Sequence, residues 1–293
     1  MSILVNKNTK VVCQGITGTQ ATFHIRRSLN YGTHVVSGVT PGKGGELHLG
    51  LPVFNTVIEA RAATDANASV MYVPAPHVKN AVREAVEAEL DLAVCIAAGV
   101  PLRDMLEVKA MLKGSKTKLI GPNTPGIITP GEARLGIFPE NIHQTGSIGI
   151  ISRSATLTYE AVLETSRAGL GQSTVVGLGD DMIIGMDFVE ALDLFHKDEQ
   201  TKAIVILGRL GGTFEEDGAA FYSGLRNKKP VISFVAGDAV PFGHKMGYAG
   251  DIITKGHISA QDKKDALSRA GTIVVNKINA IHNELANLFP INA

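Results

Sequence analysis

The sequence predicts an α/β fold of two domains, each a parallel sheet with helices on both faces. Three observations predict it. Short β-branched runs alternate with helical stretches along the chain. The runs are apolar throughout, as strands covered on both faces are, rather than alternating. The cycle is interrupted by one Gly- and Pro-rich stretch, Thr124-Pro125-Gly126 through Thr129-Pro130-Gly131 to Gly146, and then restarts. The 293 residues suit two domains of roughly 100–200 residues each.

In the first round, strands are expected at Lys10–Gln14, His34–Gly38, Ser69–Val73, Leu92–Ile96 and Lys118–Gly121. Helices are expected at Ala21–Tyr31, Val57–Thr64, Val78–Glu87 and Leu102–Lys113. The second round predicts strands at Ser147–Ser152, Thr174–Leu178, Ala203–Leu207, Val231–Val235 and Thr272–Val275. Its helices are expected at Thr156–Ala168, Phe188–Phe195, Phe214–Leu225 and Ile278–Leu288. The domains are then 1–123 and 147–293, with 124–146 as linker. Binding loops in such sheets lie at the carboxyl ends of the strands.

Composition narrows the partners. Lys+Arg and Asp+Glu both number 28, so there is no bulk charge to draw nucleic acid or an anionic membrane. An anionic ligand must be held by local geometry. The N-terminus lacks the basic-then-apolar layout of a signal peptide, and no run approaches the ~18–20 apolar residues of a membrane span. Cys13 and Cys95 both lie inside apolar runs, as small hydrophobes of a reducing compartment do. A cytoplasmic protein is expected.

The first strand runs into Gln14-Gly15-Ile16-Thr17-Gly18-Thr19-Gln20-Ala21, a strand–loop–helix turn. Glycines let the backbone approach a phosphate, and the helix N-terminus favours an anion. The alternative is a tight turn with no ligand. The dinucleotide fingerprint needs a third glycine and an acid about 20 residues on. Here residue 21 is Ala, and the second strand leads instead to Val39-Thr40-Pro41-Gly42-Lys43-Gly44-Gly45. Two phosphate-seeking loops on adjacent strands fit a ligand with several phosphates, such as coenzyme A (CoA), better than NAD. A nicotinamide oxidoreductase is the weaker reading.

Longer motifs then carry a family resemblance. Gly15–Gln20, Val39–Gly45, Leu51-Pro52-Val53-Phe54-Asn55-Thr56-Val57, Tyr72–Pro76, Ile120–Asn123, Ile151–Ser154 and Thr156–Glu160 occur in order. Over nearly its whole length the chain resembles the α subunit of succinyl-CoA synthetase (succinate–CoA ligase). The resemblance implies an N-terminal Rossmann-like CoA-binding domain and a C-terminal flavodoxin-like ligase domain. It implies that Thr17, Gly18, Thr19, Gln20 and Lys43 hold the phosphates of CoA. It places Ile96, Ala97 and Ala98 near the thiol end and Tyr159 near a small carboxylic acid substrate. Ser154, Ala155 and Arg209 become the anion or phosphate site. It also implies a β subunit, in an αβ or α2β2 assembly, that binds ATP or GTP with Mg²⁺. No metal site is expected in this chain.

The family passes a phosphoryl group through a histidine in a Gly-His-Ala-Gly-Ala motif, and the matching segment here is Gly247-Tyr248-Ala249-Gly250-Asp251. Tyr has a pKa near ~10, and its phosphate ester is too stable for a reversible carrier. The family's Gly-Glu-Ile-Gly-Gly segment, whose glutamate orients the histidine, is Gly208-Arg209-Leu210-Gly211-Gly212. Its Gly-Gly-Asp-Pro-Ile loop is Gly179-Asp180-Asp181-Met182-Ile183, and its Thr-Glu-Gly thiol-end run is Ala97-Ala98-Gly99. Arg209 either adds a fixed positive charge or pairs with Asp180, Asp181 or Asp251. His244 and His257 are the nearby histidines that could substitute, and His24 reads as a packing or helix-surface residue. Two functions stay open: an α-type subunit of an acid–thiol ligase, and a non-catalytic CoA- or acyl-CoA-binding pseudo-subunit.

Overall fold

The computed structural model describes residues 2–237 and 259–290. The chain divides into two compact units, one of Leu4–Phe138 with Ile183–Met186, the other of Pro139–Met182 with the described residues from Asp187 on.

The N-terminal unit holds β1 (Val11–Gln14), α1 (Thr19–Tyr31), β2 (Val35–Val39), β3 (Leu47–His48), β4 (Leu51–Phe54), α2 (Val57–Thr64), β5 (Ala68–Met71), α3 (Val78–Glu87), β6 (Leu92–Cys95), α4 (Leu102–Leu112), β7 (Lys118–Ile120), β8 (Gly126–Thr129) and β9 (Ala133–Gly136). Its parallel strands lie in the order β4-β2-β1-β5-β6-β7. Counted within the unit that is 3-2-1-4-5-6, the Rossmann order. β1, β5 and β6 are buried at every position, which is why they are mostly apolar, with Gln14 and Ser69 as the polar exceptions. Helices pack on them through residues such as Ile25, Val78, Val82, Met105 and Val108, all at most 1% exposed.

Two departures from an all-parallel sheet appear. β3 pairs antiparallel with β4 at the sheet edge, through a turn with Leu49 and Gly50 both at positive φ. The segment expected as a linker contains the antiparallel hairpin β8–β9. That hairpin is fixed to α1 by Arg134, whose guanidinium is fully buried and donates to the oxygens of Phe138, His24 and Ser28.

The C-terminal unit holds β10 (Thr145–Ser152), α5 (Ala155–Arg167), β11 (Gln172–Gly177), α6 (Phe188–Lys197), β12 (Ala203–Gly208), α7 (Phe214–Gly224), β13 (Val231–Val235), α8 (Ala260–Arg269), β14 (Ile273–Val275) and α9 (Ala280–Leu288). Its parallel strands run β14-β13-β12-β10-β11. Counted within the unit this is 5-4-3-1-2, the flavodoxin-like order. The sequence reading lacked α8. Its inward face carries Lys263 and Lys264 beside Ala260 and Leu267, so no apolar period marks it. No described helix is long and apolar enough to cross a membrane.

Candidate CoA and anion sites

In each unit the strand order reverses next to the first strand, and ligand crevices in open α/β sheets form outside the carboxyl ends of the strands there. Thr17–Gln20 follow β1, Lys43 follows β2, and Ile96–Ala98 follow β6. All eight residues proposed for CoA therefore share one edge of the N-terminal sheet.

The turn after β1 is tightly built. Gly15 has φ +81°, and a Cβ there would lie 3.3 Å from the Tyr72 carbonyl oxygen, so glycine is required. Its N–H donates to the Val39 oxygen at 2.8 Å, and the Gly18 N–H donates to Gly15 at 3.0 Å. Gly18 is the N-cap of α1 and offers no side chain to the helix. The first-turn N–H groups have no intrahelical acceptor, and no acidic residue sits in that turn. The helix start is thus a seat for an anion. Thr22 donates its hydroxyl to the Gly18 oxygen at 2.8 Å, and His48 Nε2 meets the same hydroxyl at 2.8 Å. The β3–β4 hairpin is thereby tied to the first turn of α1.

Beside this turn lies a cavity of about 330 Å³. Val39, Pro41, Val73 and Pro74 give it apolar walls, while Gln14, His77, Asn80 and Glu84 supply polar atoms. Gln14 is held by Ser69, which donates to its Oε1 at 2.7 Å, and by the Ala81 oxygen, which accepts from its Nε2 at 3.0 Å. Glu84 accepts the Val57 N–H at 3.0 Å. The cavity combines apolar walls with a few fixed polar groups beside the start of α1, the make-up common to small-molecule sites. Ile96–Ala98 are pinned by two backbone bonds, Ile96 N–H to Met71 and Asn123 N–H to Ala97. His24 stacks on Tyr72 with ring centroids 5.8 Å apart, a packing role as expected. Burial drives the Tyr72 hydroxyl pKa far up, and that hydroxyl donates to the Gly136 oxygen.

The C-terminal unit gathers its candidates in the same way. Ser154 and Ala155 follow β10, Asp180 and Asp181 follow β11, and Arg209 follows β12. Here the Ser154 backbone donor and hydroxyl both have partners within the unit. Ser154 caps α5 by accepting the Leu157 N–H, and its own N–H donates to Ser152 Oγ at 3.0 Å. Of the two readings of Arg209, the structure holds the pairing: its guanidinium forms an ion pair with Asp180. Both side chains are largely buried.

Beneath this pair lies a network that sequence reasoning missed. Glu215, fully buried, accepts the Arg209 backbone N–H at 3.0 Å and the Lys263 ammonium at 2.7 Å. Lys263, also fully buried, donates further to Glu216 at 2.9 Å and to the Gly212 oxygen at 2.7 Å. Arg153 donates to the Gly211 oxygen at 2.9 Å, lies over the Phe214 ring and approaches Glu215 at 3.6 Å. Burial lowers the Arg153 pKa, and Glu215 partly opposes this. The acids Glu215 and Glu216 open α7, where carboxylates read as ordinary first-turn residues, so nothing local announced the buried lysine. Tyr159 sits half-buried on α5. Tyr248, Asp251, His244 and His257 fall outside the described residues.

Comparison with known proteins gives a family for each half of the chain. Residues 6–99 match the CoA binding domain family, and residues 151–273 match the CoA-ligase family. The α subunit of the ADP-forming succinate–CoA ligase of Staphylococcus epidermidis is 49% identical over 271 residues, covering 92% of this chain and 89% of that protein. The Staphylococcus aureus α subunit is 48% identical over the same coverage. Among solved structures, Methanosaeta concilii ATP citrate lyase in complex with (3S)-citryl-CoA superposes with a TM-score of 0.88 at 24% identity. That match covers 99% of this chain and 52% of the lyase, so the chain spans about half the lyase's length and the likeness speaks to fold. With the CoA-binding and ligase domains in this order, and half of its residues shared with two such subunits, the chain belongs to the succinate–CoA ligase α-subunit family.

Proposed function

We propose that this chain is the CoA-binding, α-type subunit of an acid–thiol ligase assembly in which the phosphoryl relay through position 248 is lost. CoA would be held by the first turn of α1 with Thr17–Gln20, by Lys43, and at its thiol end by Ile96–Ala98. CoA supplies the thiol that accepts the acyl group. A nucleotide-binding β-type chain would carry ATP or GTP with Mg²⁺, as the family resemblance implies. Tyr159 would face a small carboxylic acid.

One observation carries the loss of the relay: Arg209 is paired with Asp180. The family's glutamate at this position orients the phosphorylated histidine. A guanidinium bound to its own carboxylate performs no such task, because it is a permanent cation that cannot accept a proton from an imidazole. Tyr248 in the histidine's place is a second change to the relay, and the ion pair joins the altered loops after β11 and β12. The second reading, a non-catalytic pseudo-subunit, is favoured by the same pair and by the internal use of the Ser154 N–H.

The test is phosphoryl labelling. The chain, alone and with a β-type subunit, is mixed with γ-³²P ATP or GTP and Mg²⁺. No acid-labile label on this chain, together with CoA binding by calorimetry, is expected. Label that chases onto nucleoside diphosphate or succinate would overturn the proposal and direct attention to His244 and His257.

A further inference from the structure

The two glycine-rich loops of the N-terminal unit use their backbone donors in opposite ways. In the loop after β2, Pro41 has no N–H, and the next five N–H groups are all consumed within the loop and its hairpin. Gly42 and Gly44 both donate to Asn55 Oδ1, at 2.9 and 3.1 Å. Lys43 donates to the Thr40 oxygen at 3.0 Å, Gly45 to Val53 at 2.9 Å, and Glu46 to Lys43 at 3.2 Å. Unlike the start of α1, residues 42–46 have no backbone donor left for an anion. What this segment presents is the exposed ammonium of Lys43 on a long, flexible stem.

Asn55 decides where that stem begins. Its amide lies against Gly44 so closely that a Cβ on Gly44 would fall 2.4 Å from Asn55 Nδ2. Asn55 is itself fixed by the start of α2. Its N–H and that of Thr56 donate to Glu59 Oε2 at 3.0 and 3.3 Å, and the Thr56 hydroxyl accepts the Glu59 N–H at 3.2 Å. This reciprocal cap joins the loop to a helix end. A flexible lysine loses less freedom on binding when its base is already in place.

We propose that Asn55 is a positioning residue for the phosphate contact. It spends its side chain on the Lys43 loop, so that the Lys43 ammonium, and no backbone N–H of residues 42–46, meets a phosphate of CoA. The inference rests on the reading that Lys43 contacts CoA.

A double-mutant cycle tests it in the full chain, with CoA affinity by calorimetry as the readout for the unaltered protein, Lys43→Ala, Asn55→Ala and the double variant. Lys43→Ala should weaken CoA about tenfold, the scale of one charge-assisted contact. Asn55→Ala should weaken it about three- to tenfold in the native background and less than about twofold once Lys43 is gone. A purely structural role for Asn55 would give the same loss in both backgrounds. Equal losses, or no loss from Asn55→Ala while Lys43→Ala weakens binding, overturn the inference alone. No loss from Lys43→Ala overturns the Lys43 reading and the inference with it.

Discussion

Lys263→Met is the sharpest probe of the C-terminal unit. Met nearly fills the space of the lysine stem and removes only the charge and its donors. In the native unit the ammonium serves three acceptors, Glu215, Glu216 and the Gly212 oxygen, and neither Lys263 nor Glu215 has any exposed side-chain surface. Removing one partner of a buried ion pair costs about 3–5 kcal/mol, because the remaining charge stays buried without compensation. Glu215 would keep the Arg209 N–H and Arg153 at 3.6 Å, which sets the expected loss near the lower end. At roughly 2–4 °C per kcal/mol for a unit of this size, the melting temperature should fall by about 6–12 °C. Differential scanning calorimetry is the assay, since two units need not melt as one transition. CoA affinity should stay within about twofold, because every group proposed for CoA lies in the other unit. A shift below about 2 °C would refute the claim that this network holds the unit together. An equal loss of CoA binding would refute the separation of roles.

Three further predictions concern the relay and the buried thiols. Tyr248→His alone should not restore acid-labile phosphorylation in the presence of a β-type subunit, because Arg209 remains bound to Asp180; label should appear only when Arg209→Glu and Asp180→Gly accompany it, and label on the single variant would show that the ion pair does not block the relay. Cys13 and Cys95, both buried and outside any disulfide, should resist a thiol reagent at pH 8 in the native protein and give two equivalents after denaturation. Burial raises the Cys13 thiol well above its ordinary value. The native state therefore keeps this proton where the unfolded chain loses it, and its contribution to stability is full below about pH 8.5 and declines as pH rises beyond it. Denaturant midpoints between pH 7.5 and 10 check the sign, and a midpoint that rises over that range would contradict it.

What the sequence made legible is what burial makes monotonous. β1, β5, β6, β11 and β12 are buried at every position, and each keeps at least two consecutive apolar residues rather than a strict apolar–polar alternation. From these runs and the helices between them both domains could be read, and the strand orders follow the two common doubly wound patterns. What stayed hidden has two causes. The β3–β4 and β8–β9 hairpins are short and held by turns with positive φ and by side chains distant in sequence, such as His48 on Thr22 and Arg134 on Ser28. α8 hid because its core-facing residues include two lysines, whose presence inside makes sense only once Glu215 and Asn276 are seen opposite them.

The candidate sites divide along the same line. The loops proposed for CoA could be picked out because phosphate binding at a helix start is a local property: glycine, a helix first turn and a nearby lysine all lie within short stretches. The altered anion site was legible only as a list of substitutions, and a list cannot say whether the changes are independent losses. The ion pair answers that in part. Arg209 at the end of β12 and Asp180 after β11 are 29 positions apart in sequence, yet each removes the penalty the other would incur. Alone, the guanidinium would be a buried cation above Lys263 and Arg153, and the carboxylate a buried anion beside Asp181; such unpaired charges cost several kcal/mol. With Arg209 where the family has a glutamate and Asp180 where it has a glycine, the two charges depend on each other, and reversing either one alone should be worse than leaving both.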